Sequence, residues 1–273
     1  MSLPYRLLLF DLDATLLGPD RLIRPATLEV LARLEARGVL ASLATGRSPR
    51  SAVAVVHDFV PSAPAIHFNG AVIRDWRTGE DLLHRHLALE DALAATAVAR
   101  GMGVHVNLYL EDEILVERRS AVSAASETKD GVPHRRVGDF AALLAGTDAQ
   151  PTKLLCIGQP SQFGAFAAEV QRVTHADCAV VNSEPDYFEV LPPGVNKGAG
   201  VVALAELLGI ELAQVIAFGD NLNDLELLEV AGLGVAMGDG HPELLARTDT
   251  VIGPHDRDSI ACFLEETFGM TGS

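Results

Sequence analysis

Unbroken apolar runs of strand length alternate with stretches of helical periodicity over roughly the first 70 residues, and the same alternation returns from residue 197 onward. The run Leu7-Leu8-Leu9-Phe10 predicts a strand buried on both faces. Arg24-Pro25 then opens a stretch with Leu28, Leu31 and Leu34 at helical spacing, closed by Gly38. A second strand over 39–44, a helix from Ser48-Pro49 and a third strand over 65–68 follow, the last running into the turn pair Asn69-Gly70. Toward the end of the chain the pattern predicts a helix over 197–208, a strand over 214–218 and a helix over 222–230. Strands over 233–237 and 250–252 and a helix from Ser259 complete it. Strands alternating with helices in this way build βαβ units around a parallel sheet.

From about Asp81 the texture changes. A helix over 89–100 precedes strands over 104–110 and 114–117, a polar stretch over 120–131 and a short helix near Phe140. A strand over 153–157, a helix over 162–173 and strands over 179–182 and 187–191 follow. This is the pattern of a separate α+β insert, so the expected organisation is a discontinuous core of 1–81 and 190–273 with a second domain of 82–189 set into it. Candidate hinges lie near Asp81 and at 183–185.

Polar residues cluster where the core strands end. Asp11 and Asp13 follow the first strand directly, Thr45-Gly46-Arg47 follows the second, and Asn69-Gly70 the third. A strand buried on both faces does not ordinarily finish in two anions, and the carboxyl ends of strands in open α/β sheets are where ligands bind. Gly219-Asp220-Asn221-Leu222-Asn223-Asp224 repeats the arrangement after another apolar strand. If a helix starts near Asp220, that residue stands at or near its N-cap and both it and Asp224 can face one site, although the spacing is also that of an ordinary helix start. Two carboxylates ~4 Å apart at an effective dielectric near 20 repel by about 4 kcal/mol, so four of them require compensation. An all-oxygen group suits a hard dication, with magnesium the first choice.

Lys197 is a candidate cation for the same place. It follows Pro192-Pro193-Gly194-Val195-Asn196 and opens a helix, where its charge opposes the macrodipole unless an anion lies close by. The plain alternative is a solvated surface lysine. Thr45 as a simple N-cap and Arg47 as a structural ion-pair partner are equally ordinary readings.

Composition narrows the partners. The chain has 273 residues, 48% of them hydrophobic, and a formal net charge of -16, which argues against nucleic acid or an anionic membrane as partner. Cys156, Cys178 and Cys262 lie among apolar neighbours without metal-ligand spacing, an odd count that fits a reducing, cytoplasmic setting. Neither a signal peptide nor an apolar stretch of membrane-spanning length is expected. The scattered His84, His86, His105 and His134, with Asn107, Asn182 and Tyr187, are candidate specificity residues only.

Taken in order, Asp11-Leu12-Asp13-Ala14-Thr15, Thr45-Gly46-Arg47, Lys197 and Gly219-Asp220-Asn221-Leu222-Asn223-Asp224 resemble the four motifs of the haloacid dehalogenase superfamily. Asn69-Gly70-Ala71, the run from Phe188 to Gly198 and Val235-Ala236-Met237-Gly238-Asp239 are similar to the Cof-type branch, class IIB. The resemblance implies a Rossmann-like core, an inserted mobile α/β cap that supplies leaving-group contacts, and magnesium-dependent hydrolysis of small phosphate monoesters such as sugar phosphates. It implies Asp11 as nucleophile, Asp13, held protonated by its neighbours, as general acid and base, and Thr45 and Lys197 as catalytic groups. Phosphate and substrate contacts would come from Thr45, Gly46, Arg47, Asn69, Lys197 and Asn223. Metal ligands would be Asp11, Asp13 through its backbone carbonyl, Asp220 and Asp224. A phosphomutase or phosphotransferase would use the same aspartate, and a non-enzymatic phosphoacceptor module combines similar residues. Two positions depart from the family: Ala14 stands where glycine is usual, and Gly238-Asp239-Gly240 replaces Gly-Asn-Ala. Alanine tolerates positive φ poorly, and Asp239 adds a negative charge. Oligomeric state has no signature in the chain.

Overall fold

The computed structural model describes residues 4–175 and 177–270. It divides into two compact units. The first comprises 1–46, 55–82 and 196–273, and the second 47–54 and 83–195. In chain order the elements are β1 (Leu7–Phe10), α1 (Pro25–Glu35), β2 (Leu40–Leu43), α2 (Pro49–Val55), β3 (Ala65–His67), β4 (Val72–Arg74) and β5 (Asp81–His84). The middle of the chain forms α3 (Leu89–Gly101), β6 (His105–Leu110), β7 (Glu113–Val116), α4 (Ala121–Asp130), β8 (His134–Arg136), α5 (Phe140–Leu144), β9 (Pro151–Ile157), α6 (Phe163–Val173), β10 (Ala179–Glu184) and β11 (Tyr187–Leu191). The last part forms α7 (Lys197–Leu208), β12 (Val215–Gly219), α8 (Leu225–Val230), β13 (Leu233–Ala236), α9 (Pro242–Arg247), β14 (Thr250–Val251) and α10 (Ser259–Thr267).

In the first unit five strands form a parallel sheet in the order β14-β13-β12-β1-β2. Every residue of β1 and β12 is buried, which is why both read as continuous apolar runs rather than alternating ones. Their register pairs Phe10 with Phe218, and the two rings stack at 4.8 Å. On the other side Phe10 pairs with Leu43 of β2. The residues that follow these three positions therefore leave the sheet side by side at its carboxyl edge. The Asp11 amide donates to the Phe218 carbonyl, the Thr45 amide to the Ile66 carbonyl and the Asn69 amide to the Thr45 carbonyl, at 2.9, 2.9 and 3.1 Å.

The second unit is built on a sheet of order β10-β11-β9-β6-β7-β8. Its pairs are antiparallel except β7 with β8, which run parallel. Ala92, Ala95 and Ala99 of α3, Phe140 and Leu144 of α5, and Phe166 and Val170 of α6 join Leu108, Leu154 and Phe188 in one buried apolar core.

Several elements differ from the sequence pattern. The polar stretch over 120–131 is helix α4, and β4, β5, β8 and α9 were not expected. Residues 183–185 belong to the hairpin between β10 and β11, inside the second unit, not to its edge. That unit runs on to Val195 and also takes in 47–54, beyond the expected 82–189. Cys156 and Cys178 are buried, but Cys262 is exposed on α10. Among the described residues no helix is long and apolar enough to cross a membrane.

Candidate active site

Lys197 is the first residue of α7 and is completely buried. Asn196 makes this start possible, because its side chain caps the helix by accepting the Ala199 amide at 2.7 Å. The Lys197 ammonium donates to Asp11 Oδ1 and to Asp224 Oδ1, both at 2.5 Å. Burial alone pushes a lysine toward neutrality, but these two carboxylates outweigh it and hold Lys197 above its ordinary range.

Asp224 is also fully buried, and its second oxygen accepts the backbone amides of Asp220 and Asn221 at 3.1 Å each. These bonds place it in a 3-10 turn over Leu222–Asp224, so the turn is capped by Asn221 and the α-helix begins only at Leu225. Asp220 thus stands one position before the cap, which is Asn221. Gly219 permits the arrangement, since a Cβ there would stand 2.5 Å from that of Asp224. Asp220 instead accepts the Thr15 hydroxyl on Oδ1 at 2.9 Å.

Carboxylate oxygens of Asp11, Asp220 and Asp224 lie within 4.8 Å of one another. One ammonium stands against three carboxylates, and the excess negative charge appears as raised proton affinity. Burial, and then the neighbouring Asp224 and Asp220, push Asp11 well above the usual carboxylate range, although Lys197 opposes this. Burial and Asp224 raise Asp220 to about 6 against the pull of the Thr15 hydroxyl. A group of hard oxygens that holds protons so tightly is chemically suited to a hard dication.

The remaining predicted residues lie round this centre or elsewhere. Thr45 is buried after β2, and Asn69 is buried with φ 54°, accepting the Asn223 side-chain amide at 3.2 Å. The Asn69 amide group lies close over Gly46, 3.2 Å from where a Cβ would project. Arg47 belongs to the second unit and donates to Ser51 at 3.0 Å. Asp13 is exposed and its carboxylate is not part of the three-carboxylate group.

A family model of haloacid dehalogenase-like hydrolases matches residues 8–264. The chain belongs to that family. The hydrolase is 31% identical over 261 residues to an HMP-PP phosphatase of Cronobacter sakazakii, covering 95% of this chain and 94% of the relative. It is 30% identical over 270 residues to the pyridoxal phosphate phosphatase YbhA of Escherichia coli, covering 95% and 97%. A crystal structure of a haloacid dehalogenase-like hydrolase from Bacteroides thetaiotaomicron matches with a TM-score of 0.85 and 26% identity, over 97% of this chain and all of that one. The hydrolase is a Cof-type member of the superfamily and a phosphoric monoester hydrolase by class. Its parallel sheet is the family's Rossmann-like core, accompanied by an α/β cap.

Both departures from the family pattern have a visible local setting in the hydrolase. Ala14 takes φ 57°, the left-handed conformation that favours glycine. Asp239 faces His255, accepting its backbone amide at 3.2 Å and meeting its ring at 2.5 Å, so the added carboxylate is engaged locally. Thr15 and Asn221 were not expected to shape the site. Thr15 stood in a recognised motif, but a hydroxyl that orients a carboxylate 205 positions away leaves no trace in local pattern.

Proposed function

We propose that the protein is a magnesium-dependent phosphatase that hydrolyses small phosphate monoesters through an aspartyl-phosphate on Asp11. The observation that carries this reading is the buried Lys197 ammonium shared by Asp11 and Asp224, with an Asp220 oxygen beside them. A carboxylate approaches a phosphoryl dianion only when positive charge offsets both. Asp11, Asp220 and Asp224 fit magnesium as ligands, with the backbone carbonyl of Asp13 as a further candidate; when bound, the ion supplies charge neutralisation at the phosphoryl oxygens.

Asp11 attacks through a carboxylate oxygen, while the Lys197 ammonium holds the carboxylate in place and offsets its charge. Thr45, with Gly46, Asn69 and Asn223, forms the phosphate pocket in this reading, and Arg47 is a substrate contact. Asp13 protonates the leaving alkoxide and then takes a proton from the water that opens the acyl phosphate. Its exposure beside a buried Asp11 fits a group that exchanges protons with solvent. The two curated relatives are named for HMP-PP and pyridoxal phosphate, so a phosphorylated small metabolite is the substrate class. A screen of phosphorylated metabolites, reading released phosphate with and without magnesium, tests the proposal. Release that requires magnesium and vanishes in Asp11→Asn is expected; release independent of both contradicts it.

A further inference from the structure

A cavity of about 460 Å³ within the second unit concentrates cations in a chain whose net charge is -16. Arg50, Arg119, Arg135 and Arg136 line it, with Glu113 and His134. They come from four places in the chain: the first turn of α2, the segment before α4, the strand β8 and the strand β7. Ser51 ties α2 to α4 by donating to the Asp130 carbonyl at 2.6 Å. The assembly is therefore anchored within the unit.

Two of the four guanidiniums are already engaged. Arg135 grips Glu113 through two nitrogens at 3.0 and 2.8 Å, and Arg119 reaches Glu127 at 3.3 Å and the His134 carbonyl at 3.2 Å. The side chains of Arg50 and Arg136 make no hydrogen bond or ion pair with any described residue. A guanidinium cannot shed its charge, and with Glu113 and Glu127 offsetting Arg135 and Arg119, the charges of Arg50 and Arg136 are left without a counter-charge unless an anion joins them. His134 is buried with Nε2 at 2.9 Å from Asp130, and its Nδ1 has no hydrogen-bond partner. Charged side chains on an edge strand discourage edge-to-edge pairing, which accounts for Arg135 and Arg136 on β8. It does not account for Arg50 on a separate helix, nor for the recess.

We propose that this cavity is a binding site for a small phosphorylated anion, held chiefly by Arg50 and Arg136. Guanidinium forks match phosphate oxygens in pairs, and the volume falls in the range of roughly 300–1,000 Å³ typical of small-molecule sites. No lining residue belongs to the Asp11 cluster, so the site stands or falls independently of the catalytic reading. The phosphoryl group is that of a free effector, distinct from the one that Asp11 attacks.

Calorimetric titration of inorganic pyrophosphate into the full chain without divalent metal tests the site. The wild type and Lys197→Ala should bind alike, the double variant Arg50→Ser/Arg136→Ser at least about tenfold more weakly, and all less tightly as salt rises. Both arginines are exposed and unpartnered, so equal melting temperatures should confirm that the double variant folds. Should Lys197→Ala itself fail to fold, Asp11→Asn serves in its place. Undiminished affinity in the double variant, or no binding by the wild type, overturns the proposal. Within a positive result, a rate that responds to added pyrophosphate only in the wild type identifies an effector.

Discussion

A lysine in the first turn of a helix opposes the helix dipole, yet Lys197 lies there with no solvent exposure. Two carboxylates at 2.5 Å resolve the conflict, and this local balance governs how the site responds to pH. Asp220 holds its proton up to about 6, above the ordinary 3.8, so its contribution to the stability of the metal-free fold is present below the ordinary value and is lost as pH rises through about 6. Protons and magnesium compete for the same oxygens. Saturating magnesium should therefore raise the melting temperature more at pH 7 than at pH 5, as differential scanning fluorimetry would register; an equal rise at both would contradict the assignment of Asp220 as a ligand. Ala14 gives a second test. In the left-handed region a non-glycine residue costs about 1–2 kcal/mol, whereas glycine adds about 0.5–1 kcal/mol of unfolded-state entropy. Ala14→Gly should accordingly stabilise the chain by roughly 0.5–1 kcal/mol in denaturant titration, and a loss of stability would show that the alanine side chain makes a favourable contact.

Among the elements, α4 shows where pattern and structure part. Its sequence, AVSAASETKD, has too few large apolar residues to mark a buried face, and a polar connection was the natural reading. The helix is specified at its ends instead: Ser120 and Ser123 form a reciprocal capping box, and Gly131 closes it in the left-handed conformation at φ 70°. Ser120→Ala should lower the stability of the second unit by about 1 kcal/mol, seen as faster amide exchange over 121–130, and unchanged protection would mean that packing alone holds the helix. By contrast, α7 was legible to the residue, since Asn196 caps it and Gly209 ends it. Strands β4 and β8 were missed because three residues are too few to show a period of two. The helix expected over 222–230 opens as a 3-10 turn because Asp224 turns back onto the amides of Asp220 and Asn221.

For the whole molecule, the parallel core was readable because its strands are buried on both faces and their carboxyl ends carry polar residues that the core cannot accommodate. The change in periodicity suggested an insert over 82–189, and it carries no sign of the allocation of residues 47–54 to the second unit, which depends on contacts remote in sequence. Sequence order brought Asp11, Lys197, Asp220 and Asp224 under suspicion together; the neighbouring strands β12 and β1 explain why the three carboxylates can meet, and the start of α7 adds Lys197. Long-range partners such as Thr15 for Asp220 and His255 for Asp239 become visible only in three dimensions. The central claim is that Asp11 bonds to phosphorus during turnover. An ester with a good leaving group, offered to Asp13→Ala with magnesium, quenched in acid and reduced with borohydride, leaves a mass-spectrometric mark on any phosphorylated carboxyl. The mark should fall on Asp11 alone; its appearance on another residue, or the absence of any covalent phosphoenzyme, would contradict the account.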